Sequence, residues 1–133
     1  MKVKFAVLAD YGGIDAGGKL NIIGVFSRFN PPTLPHSHHL FFVVAQFEAD
    51  HSEAGNTQNV SFSVIAPDGE PIVVMDMLPF ELQPAPNPSD IIEFPFALAM
   101  QGLTFLKEGD YKVRISINEE TAFSLDFILQ KKQ

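Results

Sequence analysis

At 133 residues the chain is about one domain, long enough to bury a hydrophobic core without disulfides or a structural metal. Its 46% apolar content is that of a globular protein, and the absence of cysteine excludes disulfide frameworks, thiol chemistry and cysteine-ligated zinc. The formal charge of −7 is uneven: between Arg28 and Lys107 lie nine acids and no lysine or arginine, which disfavours nucleic acid and anionic lipid as partners.

In chain order, Val3 to Asp10 reads as a first strand, with Val3, Phe5 and Val7 sharing one face. The apolar run Phe5 to Ala9 within it is too short for a signal peptide, and no stretch reaches membrane-spanning length, so a cytoplasmic protein is expected. Tyr11 to Lys19 is glycine-rich and reads as a turn. Leu20 to Phe29 reads as a second strand, ended by a loop, Pro31 to His39, whose three prolines forbid continued ladder pairing. Leu40 to Phe47 is apolar on both faces, which requires cover on both sides.

A polar loop from Ala49 to Asn59 leads into the half-buried strand Val60 to Val64. Ala66-Pro67-Asp68-Gly69-Glu70 is the sharpest turn signal in the chain, since proline presets φ and glycine accepts positive φ. Pro71 to Leu82 returns as a strand with a bulge or edge at Pro79, and Gln83 to Asp90 is a proline-rich connector. Ile92 to Met100 alternates, with Pro95 outward as on an edge strand; six residues at Phe96 to Gln101 are too few to argue for helix. The clearest alternation is Tyr111 to Asn118, with Tyr111, Val113, Ile115 and Ile117 on one face and Lys112, Arg114, Ser116 and Asn118 on the other. Ala122 to Leu129 closes the set with Phe123, Leu125, Phe127 and Leu129 inward, before a frayed Lys131–Gln133 tail.

About eight short strands and no sustained helical period predict one all-β domain over residues 1–133, an antiparallel β-sandwich of immunoglobulin-like or related topology. The Gly109-x-Tyr111-x-Val113 spacing resembles a tyrosine corner, in which the hydroxyl bonds back across a turn.

Gly13-Ile14-Asp15-Ala16-Gly17-Gly18-Lys19-Leu20 falls one residue short of a phosphate-binding loop. Leu20 stands where a magnesium-binding hydroxyl is needed, and a strand follows where a helix is required. Asp10, then Gly18 to Phe26 (Gly-Lys-Leu-Asn-Ile-Ile-Gly-Val-Phe) with Arg28 beyond, and the late Gly109 to Ile115 strand, resemble the signature of a family of small bacterial all-β proteins of unknown function. That resemblance implies a stand-alone β-sandwich, and it brings no catalytic residues.

His36, His38 and His39 cluster in the proline loop, with His51 apart; neutral imidazoles close together can ligate zinc, copper or nickel. They are the candidate metal ligands, weakened by the small rigidity of such a loop. The acid pairs Asp10 with Asp15, and Asp90 with Glu93, fall at turns and strand ends, where carboxylates usually bond local backbone. No serine sits in a nucleophile elbow. The expected function is a non-catalytic structural or protein-interaction module without a cofactor, its partner a protein or a second copy. The alternative is a small-ligand or metal-binding protein using Pro31–His39 and the acidic surface.

Overall fold

In the computed structural model, which describes all of Met1–Gln133, the Tyr111 alternation lies on β10 (Gly109–Ile117). Tyr111, Val113, Ile115 and Ile117 are buried, while Lys112 is exposed and Arg114 and Ser116 are half-buried. The other strands are β1 (Lys2–Ile14), β2 (Leu20–Phe26), β3 (Arg28–Phe29), β4 (His36–Ala49), β5 (Thr57–Gln58), β6 (Val60–Ile65), β7 (Pro71–Asp76), β8 (Phe80–Glu81), β9 (Ile92–Phe105) and β11 (Glu120–Leu129). The helical content is a single 3₁₀ turn, His51–Glu53, and no helix is long and apolar enough to cross a membrane.

The strands form a four-stranded sheet ordered β2-β1-β4-β9, a five-stranded sheet ordered β3-β11-β10-β6-β7, and a small β5–β8 ribbon. Pairing is antiparallel except between β3 and β11, which run parallel over two residues. One core joins the two larger sheets: Leu8, Phe41, Val43 and Phe47 from the first meet Phe62, Val113, Ile115 and Phe127 from the second. Each such side chain contributes about 1.5–3 kcal/mol by leaving water.

Several boundaries differ from the sequence reading. The first strand runs on through Ile14, so most of the glycine-rich segment is ladder and the turn is confined to Asp15–Lys19. The expected second strand breaks at Ser27, where the chain leaves one sheet as β2 and enters the other as β3. His36 to His39 belong to β4 and not to the proline loop, because the loop's irregular backbone ends at Pro35. The expected Pro71–Leu82 strand is split into β7 and β8, consistent with Pro79 removing a ladder donor. Phe96 to Gln101 is strand, and Pro95 lies on β9 at the sheet edge, as its missing N–H requires. The tail is held in place: the Lys132 amide donates to Pro31 O at 2.7 Å and the Lys131 amide to Glu108 Oε1 at 2.7 Å.

The apolar Leu40–Phe47 segment has both its faces covered, with Val43, Val44 and Ala45 all at 0% exposure. One side faces the shared core. On the other side β1 passes over β4 to reach β9, with which it does not pair. Gly12 sits directly on the Val44 methyl and beside Ala97, and Tyr11 meets Phe42 edge-on at 5.4 Å between ring centroids. A side chain at position 12 would collide with Val44, so glycine is what lets the hairpin lie down.

Candidate functional site

Two places on this scaffold combine exposure with chemistry: the outer edge of the β1–β2 hairpin and the histidine-bearing start of β4.

The hairpin is shaped locally. Asp15 accepts the Gly17 and Lys19 amides, each at 2.9 Å, and the Asn21 side-chain amide at 3.3 Å. These bonds, the Lys19 amide first, hold the Asp15 carboxyl below the usual carboxylate range. Gly24 has φ +74°, a conformation costly for other residues, and the Asp10 carboxyl lies over it, leaving no room for a Cβ. The two acids flanking the turn are therefore structural parts of the hairpin, and the near phosphate-loop motif is a strand–turn–strand. Asp90 and Glu93 likewise lie in and after the connector, with Asp90 donating its amide to Asn87 O in a local turn.

β2 is the terminal strand of its sheet, and its outer backbone edge has no ladder partner. Ile23 and Val25 are 63% and 62% exposed, next to Tyr11 of β1, which is about half exposed. Ile23 pairs across from Tyr11, and Val25 from Ala9, so the apolar side chains form a continuous band along the hairpin. Residues 10–28 contain two acids, Asp10 and Asp15, and two bases, Lys19 and Arg28, making this segment electrically neutral within a chain of −7.

The sequence reading did not single out this band. Its signal was present in Leu20 to Phe26, where Ile22 is followed by Ile23 and Val25. That strand is apolar on both faces, just as Leu40–Phe47 is, but only one of its faces is covered.

At the start of β4, His36 Nε2 and His38 Nδ1 approach to 3.1 Å, and the His38 ring lies 4.3 Å from Phe29 and 5.8 Å from Phe41, centroid to centroid. His39 is exposed and makes no hydrogen bond to the pair, and His51 sits in the 3₁₀ turn with Nδ1 buried and unpartnered. The loop cluster expected from the sequence is thus a pair on a strand, and no three or more His, Asp or Glu side chains converge as a metal-binding group.

Burial, then the neighbouring His36, pushes the His38 pKa below its ordinary 6.5, against opposing contributions from Asp10 and the Leu40 backbone. The folded state therefore takes up this proton less readily than the unfolded chain. Stability is predicted to hold above the ordinary value of 6.5 and to decline as pH falls below it toward the folded pKa. Urea unfolding across this range checks the step, which His38→Gln removes. The lowered carboxyls of Asp15, Glu53 and Asp68 act in a separate window, below their ordinary 3.8 to 4.5.

An open concavity of 520 Å³ lies between the Asn118 turn and the 3₁₀ turn. Its polar groups are engaged in structure: Asn118 donates to Gln58 Oε1 at 3.0 Å and accepts the Asn59 amide at 2.9 Å. Glu53 bonds the terminal amine and the Asp50 amide.

Residues 4–130 match a family of unknown function, DUF6941, and the chain belongs to it. No curated protein matches the chain. Among solved structures it is similar to the Pseudomonas fluorescens alkylpurine DNA glycosylase AlkC bound to DNA containing an abasic site analogue. The identity is 14% and the TM-score 0.56, over 78% of this chain and 27% of that one. The likeness is one of fold, and the chain spans little more than a quarter of that enzyme's length.

Proposed function

We propose that this family member is a non-catalytic protein-interaction domain, cytoplasmic, that associates with a second copy of itself through the β1–β2 hairpin. The observation that carries the reading is the unpaired β2 edge beside the exposed band Tyr11, Ile23 and Val25. An apolar edge strand left in water is a template for pairing with another strand, and natural proteins usually blunt such edges with charge. Here Leu20 to Phe26 carries none. Antiparallel pairing of two β2 strands centred on Ile23 is self-complementary, as a two-fold interface requires. The neutrality of residues 10–28 keeps repulsion between two acidic chains lowest at this edge.

The domain itself reads as a β-sandwich related to immunoglobulin-like domains. Supporting this are the two sheets sharing one core and the Tyr111 hydroxyl, which donates to Lys107 O at 2.6 Å in the manner of a tyrosine corner. DNA binding belongs to the glycosylase as a whole. The nine acids between Arg28 and Lys107 argue against phosphate-backbone binding by this chain.

Size-exclusion chromatography with light scattering tests the proposal. The natural chain is expected to show a concentration-dependent dimer that strengthens with added salt, because screening weakens repulsion between the two −7 chains. Ile23→Glu with Val25→Glu is expected to be monomeric with an unchanged Tm. A natural chain that stays monomeric at every concentration and salt level contradicts the proposal.

A further inference from the structure

The imidazole pair on β4 carries an inference independent of the β2 edge. His36 and His38 are two residues apart on a strand, so their side chains leave the same face. β9 holds this stretch in register, with His36 opposite Phe105 and His38 opposite Leu103, and packing against Phe29 orients the His38 ring. The result is the 3.1 Å approach of His36 Nε2 to His38 Nδ1. Two imidazoles on one metal ion, at bond lengths of about 2.0–2.1 Å, place their nitrogens about 3.3 Å apart in a tetrahedral shell and about 2.9 Å apart in a tetragonal one. The observed separation lies between these values.

We propose that His36 and His38 form a two-nitrogen chelate for one late transition-metal ion, with Cu²⁺ preferred and water filling the remaining positions. No third protein ligand converges on the pair, so selectivity follows imidazole's preference and the Irving–Williams order, which places Cu²⁺ above Ni²⁺ and Zn²⁺. In the metal-free chain one of the facing nitrogens carries a proton and hydrogen-bonds to the other. Coordination moves that proton to the second nitrogen of the same ring, and with both rings neutral no net proton is released.

Calorimetric titration of the untagged chain with Cu²⁺ and with Zn²⁺ at neutral pH tests this, using the natural protein and its His36→Asn, His38→Asn and His39→Asn variants. The expected result is one ion per chain, Cu²⁺ tighter than Zn²⁺, weakened by about tenfold or more in the first two variants and unchanged in the third. No binding, or equal affinity in all four chains, overturns the proposal. Because replacing His38 also disturbs its packing on Phe29, Cu²⁺ broadening of imidazole proton signals in the natural chain gives a second readout. Loss of the His36 and His38 signals ahead of His39 and His51 supports the chelate, and uniform loss overturns it. Neither readout depends on dimer formation.

Discussion

Phe127→Ala is expected to destabilise the protein by about 3–5 kcal/mol, the usual cost of truncating a fully buried phenylalanine. Phe127 is 1% exposed and stacks on Tyr111 at 5.3 Å and 20° between ring planes. It also meets Phe105 edge-on at 6.0 Å and Phe29 at 5.8 Å. Phe105 belongs to β9 of the four-stranded sheet, while Phe29, Tyr111 and Phe127 belong to the five-stranded sheet, so this ring helps join the two layers. Against a total stability of about 5–15 kcal/mol, the loss lowers Tm by roughly 10–20 °C. Urea and thermal unfolding measure it directly, with Phe127→Leu as a milder companion. A cost for Phe127→Ala below about 1 kcal/mol would mean that the ring does not occupy a shared core.

Gly12→Val is expected to be the most damaging change on the hairpin, at the upper end of the roughly 1–3 kcal/mol that overpacking costs. A Cβ at position 12 lands on the Val44 Cγ2 methyl, with the Ala97 Cβ 3.7 Å away. Val44 is fully buried and β-branched, and cannot swing aside. The hairpin must lift from β4 or the sheet must distort, and either response exposes the outer face of β4. Gly17→Ala is the matched control. Its Cβ meets only the Asp15 Oδ1 at 3.4 Å, and stability is expected to stay within about 0.5 kcal/mol of the natural chain. Equal stability of Gly12→Val and Gly17→Ala would contradict the packing of β1 over β4.

Period-two alternation carried most of the fold. It placed β6, β10 and β11 to within a residue or two, because each of these strands has one buried and one wetter face. The double burial of Leu40–Phe47 was also legible, since an unbroken apolar run calls for cover on both faces. What covers it was not legible. The glycines of Tyr11 to Lys19 suggest a loop by composition, whereas Gly12 is a packing glycine inside a strand. The sheet switch at Ser27 escaped for a similar reason: Leu20 to Phe29 holds no proline to end the strand, and pairing partners far along the chain decide where a strand changes sheets.

The candidate site was legible only in part. The sequence singled out His36, His38 and His39, but put them on a loop. Strand geometry brings His36 and His38 together and leaves His39 exposed and outside the pair. The apolar band on β2 became visible once the topology showed that no strand lies beyond it.

Amide hydrogen exchange of the natural chain at low and high protein concentration is the most direct test of β2 as the interaction edge. Protection that rises with concentration across Leu20 to Phe26, with the β7 edge strand unchanged, is the result predicted here. Exchange of the β2 amides that is equally fast at both concentrations would contradict it.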